Sequence, residues 1–255
     1  MLRFIRNWLD RRAVEQASIP AADWNAAFAA LPLLERLNPQ EKRQIQVLAT
    51  LFLRRKTVTG ARGLEISQRM VLIIALQACL PVLALGLDSY AGWTSIVVYP
   101  SGFAAQRVVT DEYGVEHRVR DELSGEAWQR GPVILAWDET EYAGHVDGCN
   151  LVIHEFAHKL DMQNGVANGF PPLHREMDVE SWTRAFSAGF EDMQRLCDRG
   201  ENIGIDCYAA SSPAEFFAVL SETFFERPDL LQRHFDAVYE QLRQYYRQDP
   251  ITRWG

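Results

Sequence analysis

The chain has 255 residues, of which 47% are hydrophobic and 24% charged, with a formal net charge of −8 and a pI near 5.3. A chain of that length and composition can bury a large core as one compact unit or two closely packed lobes. Its acidic balance excludes the cationic surface that drives nonspecific nucleic-acid binding, so no direct nucleic-acid contact is expected.

Residues 2–12 interleave Arg3, Arg6, Arg11 and Arg12 with Leu2, Phe4, Ile5, Trp8 and Leu9, which predicts a short basic amphipathic helix packed on the body of the protein. No continuous apolar run or small-residue cleavage site follows it, so it does not read as a secretion signal. A cytoplasmic location is expected. A second helix is expected over residues 22–30, ahead of Pro32. Asn38-Pro39-Gln40-Glu41 then opens a third, with Asn as cap and Pro in the first turn, and Ile45, Leu48, Ala49, Phe52 and Leu53 continue its apolar stripe. Residues 70–87 are the most hydrophobic run, but Gln77 and Pro81 interrupt them and Arg69 and Asp88 bracket them. They read as a buried helix, with no stable membrane insertion.

Beyond this point the period changes. Residues 94–99 are β-branched and apolar, residues 115–119 alternate, and Gly131-Pro132-Val133-Ile134-Leu135-Ala136-Trp137 is a further strand candidate. Two or three antiparallel strands are therefore expected. Further helices are expected over residues 179–199, 216–225 and 230–246.

The chemistry concentrates in Leu151-Val152-Ile153-His154-Glu155-Phe156-Ala157-His158-Lys159-Leu160-Asp161. On a helix, residues four apart share a face, so the imidazoles of His154 and His158 can converge on one metal ion. Glu155 is turned about 100° from His154, which sets its carboxylate beside the metal, where it can hold and deprotonate a bound water. With six histidines in the chain, chance yields this five-residue pattern in about one such sequence in a hundred. Asp147 or Asn150 can cap the helix, and Asn164-Gly165 offers its stop. In zinc peptidases an edge strand commonly lines the cleft and pairs with an extended substrate, a role expected here of residues 132–138.

A catalytic zinc site needs a third protein ligand and one position left for water. The three-histidine extension is excluded, because the positions it requires hold Asp161 and Asn164. A carboxylate from a later helix remains: Glu176, Glu180, Glu215 or Glu222. Glu215 also fits the reciprocal position of a capping box begun by Ser212, yet Phe216-Phe217-Ala218-Val219-Leu220 follow it directly, and a carboxylate in such dry surroundings needs a cation. Asp161 can orient an imidazole through its far nitrogen or lie at the surface near the helix end. His117, His145, His174 and His234 stand alone. Cys79, Cys149, Cys197 and Cys207 show no CxxC spacing and read as reduced thiols rather than a disulfide frame.

His154-Glu155-Phe-Ala-His158-Lys-Leu-Asp161-x-x-Asn164-Gly165 and Asp206-x-Tyr208-Ala-Ala-Ser-x-Pro213-Ala-Glu215-x-Phe-Ala-Val-Leu-Ser-Glu222 together resemble the Mlc titration factor A family of bacterial zinc peptidases. Gly63-Leu64-Glu65, Cys79-Leu-Pro-Val-Leu, Val98-Tyr99-Pro100 and Gln248-Asp249-Pro250 extend the likeness over most of the chain from Leu37 onward. The resemblance implies one Zn²⁺ per chain, held by His154, His158 and Glu215, with Glu155 as catalytic base. The family's core is similar to the catalytic domain of anthrax lethal factor, which implies that Tyr208 donates a hydrogen bond to the oxyanion. It also implies aminopeptidase-like hydrolysis of short peptides and binding of Mlc, a repressor of sugar-phosphotransferase genes. The competing reading is a repressor-binding regulator whose peptidase activity is minor or absent.

The expected architecture is α+β and mostly helical. An N-terminal helical part, residues 1–90, packs on a zincin-like catalytic core, residues 91–255, with a small antiparallel sheet, and the two form one compact unit.

Overall fold

A computed structural model of the chain describes residues 19–110, 116–123, 125–127 and 131–254. The expected helix over residues 2–12 lies outside the described residues, as does Val115 at the start of one expected strand. The first helix has no side-chain cap, and capping chemistry starts the two that follow it. Helix α1 spans Ala21–Ala29 and α2 spans Pro39–Arg55. At the start of α2 the Asn38 side chain accepts from the backbone N–H of Gln40 and Glu41, and Glu41 returns the bond by accepting from the Asn38 N–H at 3.0 Å. Helix α3, Gln68–Cys79, starts at Ser67 and stops two residues before Pro81, which has no N–H with which to continue the ladder of helical bonds. Its residues from Leu72 to Cys79 are fully buried. Among the described residues no helix is long and apolar enough to cross a membrane.

The sheet corrects the antiparallel expectation. Strands β1 (Thr57–Gly60), β2 (Ser95–Tyr99) and β6 (Val133–Ala136) pair in parallel, Val58 opposite Ile96 and Val98 opposite Leu135. Parallel neighbours need long crossovers, and the chain supplies them: α3 between β1 and β2, and an antiparallel hairpin of β3 (Phe103–Thr110) and β4 (Glu116–Leu123) between β2 and β6. The short β5, Gly125–Ala127, adds antiparallel to β6, giving the order β1-β2-β6-β5. Residues 132–138 are therefore not an edge. Val133, Ile134 and Leu135 pair on both sides, and Trp137 and Asp138 already belong to helix α4, Trp137–Tyr142. Among the described residues the edges of the sheet are β1 and β5.

Helix α5, Leu151–Asp161, packs against α3, the β5–β6 end of the sheet and α7, Pro213–Glu226. Both α5 and α7 are buried almost all round, as their sequences demand: Val152, Ile153, Phe156, Ala157 and Leu160 in one, Phe216 to Leu220 with Phe224 and Phe225 in the other. Phe156 sits in a cage of Phe52, Tyr90 and Trp93, with ring centroids 5.7, 5.1 and 5.6 Å away. On the far side of α7 lie α6, Val179–Asp198, and α8, Pro228–Tyr246; Trp182 stacks on Phe186 at 4.1 Å and meets Phe217 and Tyr245. One apolar cluster reaches from Trp24 to Tyr246.

The cysteines give a second correction. Cys197, at the end of α6, is bonded to Cys207, at the start of a 3₁₀ turn that precedes α7, with a Cα–Cα distance of 5.8 Å. Gly200, at φ 67°, reverses the chain directly after α6 and brings the two cysteines together. A spacing of ten residues carries no motif from which that bond could be read. Cys79 and Cys149 are free, one buried and one exposed.

Because Phe156 fills the space between α5, α2 and the 3₁₀ segment that precedes β2, Phe156→Ala is expected to cost about 3–5 kcal/mol. Equilibrium urea unfolding followed by circular dichroism measures this; a loss below 1 kcal/mol would show that the cage closes around the gap.

Candidate metal centre

Helix α5 begins at Asn150, whose side chain accepts from the Ile153 N–H at 2.9 Å, and runs on as a 3₁₀ turn, Met162–Asn164. Gly165 takes φ 152°, a backbone open to glycine alone. Within α5 the imidazoles of His154 and His158 lie one turn apart and meet edge to face, 4.8 Å between centroids. Glu155 is only 3% exposed. In α7 Ser212 accepts from the Glu215 N–H at 3.2 Å, so the capping bond exists. The Glu215 carboxylate, however, is turned on to the two imidazoles.

The three donor atoms form a nearly equilateral triangle. His154 Nε2 lies 3.0 Å from Glu215 Oε2, His158 Nε2 3.2 Å from the same oxygen, and the two nitrogens are 3.2 Å apart. An ion bonded at about 2.0–2.1 Å to ligands in tetrahedral array has its ligands about 3.3 Å apart, so these edges fit one face of such a tetrahedron. His154, His158 and Glu215 are the described residues whose ligand atoms cluster as a metal requires, all within 4.8 Å.

The electrostatics favour a cation at the same point. Burial disfavours a charged His154, but its bonds to Glu215 and Glu222 outweigh that and push its pKa well above the ordinary value. Burial likewise raises Glu215, yet the bonds from His154 and His158 and their charge win and hold its carboxyl far below the usual range. Positive charge between these groups is thus stabilised, whether carried by a proton or by a metal.

The other candidate carboxylates are distributed differently. Glu222 lies two turns beyond Glu215 on α7 and takes the far side of the ring: His154 Nδ1 is 2.7 Å from its Oε1. A carboxylate at Nδ1 keeps the proton there and leaves Nε2 bare, the tautomer a metal ligand needs. Glu176 pairs with Arg247 at the surface and Glu180 is exposed in the first turn of α6, so neither reaches the histidines. Asp161 is fully buried, which removes the surface alternative; its Oδ2 accepts from the N–H groups of Asn168 and Gly169, both at 2.7 Å. Its Oδ1 and the Nδ1 of His158 have no hydrogen-bond partner among the described residues. Tyr208 is half-exposed, its ring centroid 6.1 Å from that of His154. His174 meets the Tyr245 carbonyl and His145 stacks on Tyr142, both away from the trio.

Sequence reasoning misses a layer behind the histidines. Glu222 also accepts from the Asn150 N–H, while the Asn150 amide donates to Gln77 Oε1 and to Glu226 Oε1, each at 2.9 Å. Glu226 further accepts from the Gly148 N–H at 3.0 Å. This network ties the start of α5 to α3 and α7. The signal that could have found it is polar residues in apolar text, Gln77 within α3 and Glu222 and Glu226 within α7.

Donors converging from two buried helices, with a buried glutamate next to the first histidine, make the arrangement of a metallopeptidase. Residues 5–247 match the glucose-regulated metallo-peptidase M90 family, and the chain belongs to that family. It is 42% identical to a protein of Salmonella arizonae over 90% of this chain and 92% of that one, and 39% identical to one of Serratia proteamaculans over 91% and 89%. A relative from Escherichia coli is 38% identical over 96% of this chain and 92% of its own length. All three bear the name Mlc titration factor A. Membership of a metallopeptidase family implies a metal ion, and the donor set described here fits one.

Burial, opposed by the bonds from Asn150 and Gly148 and reinforced by Asp147 and Glu222, raises the Glu226 pKa from 4.5 to about 7. A carboxyl raised in the folded state costs nothing below its unfolded pKa; stability falls as pH rises from there and the penalty is complete above the folded pKa. Glu226→Gln removes the titration, and the dependence of the Asn150 and Gly148 bonds on ionisation is already contained in the shift. The difference in unfolding free energy between the variant and the natural protein is therefore expected to move in the variant's favour from pH 4.5 to pH 8, by on the order of 3 kcal/mol. Urea titrations at the two pH values check this, and a difference independent of pH contradicts it.

Proposed function

We propose that the protein is a zinc-dependent metallopeptidase, aminopeptidase-like and acting on short peptides, with one Zn²⁺ per chain held by His154, His158 and Glu215. The observation that carries this reading is the triangle of donor atoms with edges of 3.0, 3.2 and 3.2 Å. Two neutral imidazoles and one carboxylate are the donor set of catalytic zinc sites, which leave one position open. A zinc ion bound there would supply Lewis acidity, lowering the pKa of water to about 7 and polarising the scissile carbonyl.

The chain's own residues would do the rest. Glu155 accepts the proton of the attacking water and passes it to the leaving amine, so one carboxylate serves as base and then as acid. Tyr208, beside His154, donates its phenolic hydrogen bond to the oxyanion as the carbonyl becomes tetrahedral. Glu222 holds His154 through Nδ1 and keeps its ring oriented. The open side of β5 offers backbone groups with which an extended peptide can pair. We assign the activity to the cytoplasm.

A second role is supported by the name the relatives share, Mlc titration factor A. By that likeness the protein also binds Mlc, through a surface separate from the reacting groups. Glu155→Gln separates the two roles. It is expected to lower hydrolysis of a broad peptide library at least 10³-fold while zinc content and Mlc binding stay unchanged. Zinc-loaded protein that cleaves nothing in the library, before or after substitution, would leave repressor binding as the function.

A further inference from the structure

We propose that the cavity between the start of α2, the segment after α3 and the C-terminal 3₁₀ turn, Pro250–Trp254, is a binding site for a phosphate monoester, separate from the metal centre. The cavity measures about 510 Å³, within the range of small-ligand sites. None of its lining residues belongs to α5 or α7, the helices that carry His154, His158 and Glu215.

The walls of the cavity are braced to one another. Gln44 Nε2, on α2, donates to the Leu83 carbonyl at 2.7 Å, and Gln248 Nε2 donates to the Leu80 carbonyl at 2.8 Å. Arg253 Nη2 donates to Glu41 Oε1 at 2.7 Å, which joins the C-terminal turn back to α2. A site with its walls already in place asks little reorganisation of the protein when a ligand enters.

The chain carries a net charge of −8, yet guanidinium groups reach this cavity from three separate segments. Arg36 ends the 3₁₀ turn Pro32–Arg36, Arg247 directly follows α8, and Arg253 lies in the C-terminal turn. Arg247 takes φ 52°, the left-handed backbone that a helix end usually gives to glycine, so its side chain stands on the rim at a conformational cost. The carboxylates of the lining are already engaged. Glu41 accepts from the Asn38 N–H with one oxygen and from Arg253 with the other, and Asp249 accepts from the Tyr239 hydroxyl at 2.6 Å. Arg247 gives Nη2 to Glu176 and Arg253 gives Nη2 to Glu41 and Gln248, so Nε and Nη1 of both make no hydrogen bond among the described residues. Burial lowers the Arg36 pKa more than Asp229 raises it, and an anion at this wall would offset that. A tetrahedral dianion takes donors from several directions, which three guanidinium groups supply, and the cavity leaves room for an organic group beside it. Glu41 and Asp249 disfavour a ligand charged at both ends, such as a dicarboxylate, and can accept from the hydroxyls of a neutral end.

Isothermal titration calorimetry of the full chain with glycerol 3-phosphate at pH 8, where the monoester is a dianion, tests the proposal. One site with a Kd of about 1 mM or tighter is expected, unchanged when the protein is stripped of metal by a chelator, with succinate roughly tenfold weaker at matched ionic strength. Arg36→Gln and Arg247→Gln should each weaken binding roughly tenfold, because each removes charge-assisted donors. Arg247 is exposed, so its variant carries the test even if Arg36→Gln fails to fold; circular dichroism melting shows which variants are native. Four results overturn the proposal: no saturable binding, an affinity that survives both substitutions, binding that disappears with the metal and so belongs to the metal centre, or succinate binding as tightly as the phosphate ester.

Discussion

Three electron-rich atoms held about 3 Å apart in a largely dry pocket repel one another unless positive charge lies between them. This constraint governs the centre of the molecule. Two imidazole nitrogens and a carboxylate oxygen face each other across the contact of α5 and α7, and the surrounding charges favour a cation there. Neither helix could move to relieve the contact without breaking its own packing. Phe156 is caged on one side, and the aromatic cluster around Trp182 and Phe217 fixes the other.

The polar layer behind the trio answers a second constraint. A ligand imidazole must present one bare nitrogen, so its other nitrogen needs an acceptor. Glu222 is that acceptor for His154, and Glu222 is in turn held by the Asn150 N–H. Asn150 is at once the cap of α5 and a donor to Gln77 and Glu226. The start of the helix and the orientation of its first histidine are thus set by the same group of buried side chains. Buried polar groups of this kind hold a structure only when each is satisfied, and here α3, α5 and α7 each contribute one or more members.

What was legible in the sequence was what local spacing encodes. The capping box at Asn38 and Glu41, the stop of α3 before Pro81 and the turn-spaced histidines all depend on neighbours within a few residues. The choice among Glu176, Glu180, Glu215 and Glu222 was not legible from spacing alone, because it depends on how α7 crosses α5. The resemblance pointed to Glu215, and the structure brings that residue to the histidines. The parallel pairing of β1, β2 and β6 was missed for a related reason. Strand-like text carries no direction; residues 115–119, expected as a strand of the sheet, fall from Glu116 onward in the hairpin that crosses from β2 to β6, and the four residues of β1 are too short a run to stand out. The Cys197–Cys207 bond was misread because its pairing depends on a chain reversal at Gly200 and not on a motif.

The central claim is that His154, His158 and Glu215 hold one divalent ion. Anomalous scattering recorded on both sides of the zinc edge, from crystals of the protein as purified, tests it most directly. The account predicts one zinc peak per chain within bonding distance of Nε2 of both histidines and of the Glu215 carboxylate, with a further position left to solvent. Absence of a peak there, ligation by a different carboxylate, or a fourth protein ligand closing the site would contradict it.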